Sequence, residues 1–244
     1  ENNTKIEYIN YAKLFLIFLI LFIILTKFIS IKFHNIFLLS IICFFSSFLL
    51  AYFNDPNIIY GLRHVYGGSD GLIFSSFASS IVEYIKNGEY ILALKGEENI
   101  FYFQPGMRYY NALFNIIFGE RNFGYILLVS FFPLLLFLLI KNFNNKKISY
   151  FLFFSFIFFP IFESMGFGHF NYVRQAVRLH AESLSIMFII LSIYLIIKIN
   201  DDKKRSNIYL ICTGLLISQI LFLRPNFLPT CLILSIFVLF TNII

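Results

Sequence analysis

Long apolar runs alternate with short polar connections along this chain, and the run lengths suit membrane-crossing helices. The runs cover residues 8–26, 36–53, 122–140, 148–162, 183–199, 207–223 and 227–244. A helix needs about 20 apolar residues, rising 1.5 Å each, to cross the hydrocarbon core. The pattern therefore predicts an all-α fold: a polytopic transmembrane helix bundle forming one domain over residues 1–244. One interruption is out of proportion to the rest. Residues 54–121 form a long polar region, predicted as a first outer loop carrying interfacial amphipathic helices.

Inside that loop, Asn54-Asp55-Pro56-Asn57 is a helix-stopping turn signal. Residues 72–86 predict an amphipathic helix. Leu72, Phe77, Ile81 and Tyr84 approximate its apolar face, with Ser75, Ser79 and Glu83 off it. Pro105-Gly106 opens a further segment. Residues 107–118 are too few to span, so this helix is expected to be interfacial or re-entrant.

Composition sharpens the picture. The chain is 59% hydrophobic and 13% charged, against about 45–50% and about 25% in soluble domains. Its mean hydropathy is +0.80. The net charge of +6 comes from basic residues in the connections between runs. That places them in topology rather than nucleic-acid binding, for which no basic-aromatic patch exists. Cys43, Cys212 and Cys231 all fall in apolar runs with no ligand or disulfide spacing, and read as small hydrophobes. The chain starts at Glu1 and stops inside an apolar run at Ile244, and is expected to be a fragment incomplete at both ends.

The basic connections sit around Lys27/Lys32, 141–147 and 198–205. The positive-inside rule puts them in the cytoplasm. Seven alternating spans then place the long loop, the 163–182 connection and Arg224-Pro225 together on the opposite face. The expected location is multi-pass and integral to the membrane, the bacterial inner membrane in preference to the endoplasmic reticulum, with an extracytoplasmic site.

Candidate chemistry collects on that face. Asp70, in Tyr66-Gly67-Gly68-Ser69-Asp70-Gly71, has two readings. Either it or Ser69 caps the helix that follows, the Asp70 carboxylate meeting the positive helix end. Alternatively it is a general base at the water–lipid boundary, with glycines allowing close approach of a substrate. Arg63, His64 and Arg108 in the same loop are further candidates for substrate contact. Arg174, Arg178 and Glu182, at i, i+4 and i+8, would line one helix face. They read either as an intrahelical Arg178–Glu182 pair or as guanidinium forks for a phosphate. Arg224, before Pro225, is a snorkelling cation or another anion ligand. His64 and His169 lack ligand-spaced partners, and no metal site is predicted. Glu97, Glu98 and Glu163 could extend a carboxylate set around Asp70, which leaves a divalent ion open.

These stretches resemble the GT-C superfamily of integral-membrane glycosyltransferases. YGGSDGLIF (66–74), then IKNGEY (85–90), then the aromatic-rich FYFQPGMRYYNALFNIIFG (101–119) carry the likeness. Within the superfamily they are similar to the polyprenyl- or dolichyl-phosphate-sugar enzymes, of the protein O-mannosyltransferase and aminoarabinose-transferase type. VRLHAESLSIMFIILSIYLIIK (177–198) and LFLRPNFLP (221–229) look like later segments of that family. Asp70 matches the family's loop Asp, but Gly71 stands where a Glu often follows, and Pro105-Gly106 where Pro-Pro is usual. The resemblance implies a lipid-phosphate-linked sugar as donor and a glycan, lipid or protein acceptor. Asp70 would activate the acceptor hydroxyl, with inversion at the anomeric carbon and no required cofactor. Two other readings compete: a polysaccharide polymerase of the Wzy or EpsG type (compare Arg63 through Asp70), and a lipid or solute transporter. Transporters concentrate ionisable groups at mid-span, whereas this chain is expected to hold them at one face.

Overall fold

Every regular element among the described residues is a helix. The structure, a computed structural model, describes residues 33–54, 69–96, 105–120, 123–158, 168–201 and 204–243. In order these are α1 Phe33–Asn54, α2 Ser69–Lys86, α3 Tyr90–Lys95, α4 Pro105–Phe118, α5 Phe123–Val129, α6 Phe132–Phe143 and α7 Lys146–Phe158. There follow α8 His169–Val177, α9 Ala181–Asp201, α10 Ser206–Leu223, a 3₁₀ turn Pro225–Phe227 and α11 Leu228–Ile243.

Four stretches among the described residues are long and apolar enough to cross a membrane: Asn35–Phe53, Gly124–Phe143, Ala181–Ile199 and Ser206–Leu223. The first apolar run, 8–26, lies outside the described residues. Large apolar side chains such as Phe45, Phe53, Phe151, Ile211, Leu215 and Leu239 point outward. Burying each would be worth about 1.5–3 kcal/mol relative to water, so this surface fits a lipid bilayer.

The 122–140 run, expected as one helix, divides at Ser130-Phe131 into α5 and α6. Pro133 opens α6 and has no N–H to return to the Val129 carbonyl. Ser130 Oγ donates to the Leu127 carbonyl at 2.7 Å and covers one freed acceptor. Of the 148–162 run, the part up to Phe158 is described and is helical, and residues 159–162 lie outside the described residues. The next described helix, α8, starts beside the end of α7, with the Phe156 and His169 rings 5.6 Å apart.

The best-covered spans are α5–α6 and α9, and α9 with α10 forms the most extensive helix pair. Buried Ser185, Ser192 and Thr213 return their hydroxyls to carbonyls four residues back, at 2.8–2.9 Å, and so stay satisfied in an apolar setting. One end of the assembly is basic: Lys141 lies in the field of Lys146 and Lys198. The other end carries the α2–α3–α4 unit. There α4 packs on the last turn of α10 and leads into α5.

The α2 helix starts at Ser69, earlier than the predicted residue 72, and its buried face shares only part of the predicted stripe. Gly71, Phe74, Ala78 and Ile81 are buried, whereas Leu72 is exposed and Phe77 half-buried. Ile81 and half-buried Tyr84 pack as expected, and the stripe fails at its start, where Gly71 and not Leu72 makes the close contact.

Candidate functional site

The closest approach among the described glycines joins the start of α2 to the end of α8. A Cβ on Gly71 would lie 2.1 Å from the Arg178 carbonyl oxygen and 3.2 Å from its carbon. Only glycine permits this contact. Asp70, in the first turn of α2 and not at its cap, is thereby held beside the Arg178 backbone. Its carboxylate lies where the positive helix end favours an anion.

Arg178 belongs to a tight helix end. The His180 N–H donates to the Gln175 carbonyl at 3.1 Å and the Leu179 N–H to the Ala176 carbonyl at 2.9 Å. This is a Schellman motif, whose left-handed position glycine usually fills. Here it is Leu179, fully buried at φ 55°. A bulky residue in that region carries strain on the order of 1–3 kcal/mol. Leu179 stays because its side chain packs under the Gly71 contact; its Cβ lies 3.7 Å from where a Gly71 Cβ would be.

This turn corrects the reading of Arg174, Arg178 and Glu182 as one helix face. Arg174 is exposed on α8, Arg178 ends that helix, and Glu182 lies in the first turn of α9. Glu182 pairs with Arg224, at the end of α10, instead of with Arg178. Burial and the Arg174 charge both lower the Arg178 guanidinium from its ordinary value. Both partners of the Glu182–Arg224 pair are partly covered, so a double-mutant cycle on thermal stability is expected to give a coupling of about 1 kcal/mol.

A second glycine sets the far side. A Cβ on Gly106 would lie 2.7 Å from the Phe222 carbonyl oxygen and 2.9 Å from the Leu223 nitrogen. The start of α4 thus packs one residue away from Arg224. Tyr110 Oη also donates to Gln219 Oε1 at 2.9 Å. Gly71 thus lets α2 lie flush against the turn between α8 and α9, and Gly106 lets α4 lie flush against the end of the α10 span.

His180 was not among the candidates, because a continuous helix would turn it away from Arg178 and Glu182. Its backbone is fixed on both sides, with the carbonyl accepting from Tyr125 Oη at 2.7 Å. Its Nε2 is buried with no hydrogen-bond partner among the described residues. Leaving such an atom unpaired costs about 1–3 kcal/mol. We expect His180→Leu to match or exceed the wild-type melting temperature, because it removes that cost. If Nε2 meets a ligand, His180→Leu loses activity and His180→Gln, which keeps a nitrogen at that reach, restores it. Equal destabilisation by both variants would make the ring structural.

The other candidates are placed as follows. Arg108 is fully buried within the α2–α3–α4 unit. Its Nη1 donates to the Gly96 carbonyl at 2.7 Å and its guanidinium lies 4.2 Å over the Phe77 ring. These contacts tie it to α3 and α2. Arg63, His64, Glu97, Glu98 and Glu163 lie outside the described residues. His169 is buried against α1, its Nε2 3.3 and 3.4 Å from the Ser46 and Ser47 hydroxyls. Burial pushes this ring down to about 4, so it is neutral at pH 7. Among the described residues, no three His, Cys, Asp or Glu side chains cluster as metal ligands.

The chain matches no protein-family model, no curated protein and no solved structure.

Proposed function

We propose that this chain is a membrane glycosyltransferase of GT-C type, acting at the extracytoplasmic face on a polyprenyl-phosphate-linked sugar. The observation that carries the reading is the Gly71 contact. It sets Asp70 beside Arg178, four residues before Glu182, which holds Arg224. Two carboxylates, Asp70 and the paired Glu182, and three arginines, with Arg174, thus lie at the end opposite Lys141, Lys146 and Lys198. The positive-inside rule makes that lysine end cytoplasmic and the Asp70 end outer.

The chemistry fits a single displacement. Asp70 takes the proton of an acceptor hydroxyl as that oxygen bonds to the anomeric carbon. The bond from that carbon to the phosphate oxygen breaks, and the lipid phosphate leaves with its electron pair. The arginines stabilise the charge that grows on the phosphate. The donor's tail dissolves in the bilayer, so its reactive end is confined to the interface where these groups lie.

A transporter is the second reading, favoured by buried His169, an ionisable side chain packed against the α1 span. The test is product formation. Membranes holding the full chain are supplied with different lipid-linked sugars, and products are read by mass spectrometry. A covalent sugar product supports the transferase; flux into liposomes with no covalent product supports the transporter. The polymerase alternative is separated by its product, a lengthening glycan instead of a single transferred sugar.

A further inference from the structure

The short helix α3 has no place in the proposed reaction, yet it is held firmly. It lies between two glycines of positive φ, Gly88 and Gly96. Its C-terminal carbonyls, which a helix leaves without partners, are taken up by the neighbouring α4. Tyr109 Oη donates to the Leu94 carbonyl at 2.5 Å, and fully buried Arg108 donates to Gly96. Ala93 packs inward among Ala78, Ile81 and Ala112. Every other apolar side chain of the helix points out. Ile91 is 73% and Leu94 75% exposed, and Tyr90 and Leu92 are exposed with them.

This knob adjoins a surface that fits lipid. On α10, exposed Ile208, Ile211, Leu215 and Phe222 follow a spacing of three, four and seven residues, which is one helix face. That stripe ends at Phe222, whose ring stacks on Tyr109 with centroids 5.8 Å apart. Tyr109 in turn holds Leu94. The apolar face of α3 is therefore continuous with the outer stripe of a candidate span, and meets it at its non-lysine end. Tyr90, Lys86 and Lys95 border the knob, residue types that sit at a headgroup boundary with polar tips in water.

We propose that α3 is a membrane-surface anchor: Ile91 and Leu94, presented by the Arg108 and Tyr109 contacts, insert into the headgroup–acyl boundary beside the end of α10. Such insertion reaches about 5–10 Å. It sets the height of the α2–α3–α4 unit, and so of Asp70, above the bilayer. The inference rests on the bilayer reading of the spans but not on glycosyl transfer.

The chain contains no tryptophan, so one introduced indole reports one position. The full chain carrying Ile91→Trp or Leu94→Trp is reconstituted in nanodiscs of phosphatidylethanolamine and phosphatidylglycerol, with Leu215→Trp as the mid-span control. For both α3 variants we expect blue-shifted emission, insensitivity to iodide, and quenching about twofold stronger by shallow than by deep brominated lipid. Leu215→Trp is expected to be quenched most by the deep bromines. Iodide quenching at Ile91 and Leu94 overturns the anchor. So does blue-shifted emission that neither brominated lipid quenches, because a protein surface then covers the knob. If Leu215→Trp also escapes lipid quenching, the bilayer reading fails with it; if only the α3 positions escape, the anchor alone fails.

Discussion

Asp70→Asn is expected to abolish sugar transfer from a polyprenyl-phosphate donor, by roughly 10²–10⁴-fold, the usual contribution of a positioned general base. Asparagine keeps the size and one acceptor oxygen of aspartate but cannot take the acceptor's proton. The competing role, an anion in the first turn of α2, is worth only about 0.3–1 kcal/mol. The two roles separate cleanly. A base predicts lost transfer with a melting temperature close to wild type and unchanged expression. A helix-end charge predicts a small loss of stability with full activity, and that outcome would remove Asp70 from the mechanism. Product is read by mass spectrometry and stability by thermal unfolding in detergent.

Gly71→Ala should be the most damaging single-carbon change in the described part of the chain. The added carbon would meet the Arg178 carbonyl at 2.1 Å, an atom of backbone held inside a Schellman motif. No rotamer change relieves that contact. Either α2 lifts from the α8–α9 turn or the turn deforms. Overpacking of this kind costs about 1–3 kcal/mol, and it displaces Asp70 from Arg178 whichever element moves. Loss of stability and loss of transfer should therefore appear together, in contrast to Asp70→Asn. Gly214→Ala is the control: on α10, nothing would lie within 4 Å of its Cβ. Alanine there should be neutral or stabilising by up to about 1 kcal/mol, since glycine is a poor helix former. If Gly71→Ala behaves like Gly214→Ala, the close docking of α2 is not needed and the single-site reading loses its geometric basis.

Much of the helix map was legible from local features. Four of the seven apolar runs correspond to stretches long enough to span, with ends within a few residues of those expected. Residues 107–118, judged too short to cross, are the body of α4. Run length and proline or glycine breaks are properties of neighbouring residues, so a single sequence carries them. The division of the 122–140 run is also written there, in Pro133, although hydropathy is unbroken across it.

The candidate site was legible only as a set of residue types. Asp70, Arg178, Glu182 and Arg224 were named, and the structure gathers them at one end, but not in the expected arrangement. Glu182 stood four residues from Arg178 and looked paired with it; its partner is Arg224, forty-two residues away. The reason is one buried leucine in a left-handed conformation, which sequence pattern assigns to glycine. Arg108, named as a candidate for substrate contact, is fully buried and holds the Gly96 carbonyl at the end of α3, a contact between residues of two elements that pattern does not show.

The sequence by itself determined that the described residues are helical, where the long apolar stretches lie, and which few positions carry charge. Those follow from the cost of placing polar groups in lipid, which is imposed residue by residue. Only the tertiary structure decided which helix faces meet and which charges pair. In a bilayer the lipid-facing surface is as apolar as the packed one, so hydropathy cannot tell them apart. The choice falls to close contacts such as Gly71 on Arg178 and Gly106 on Phe222, set by shape between residues more than a hundred positions apart.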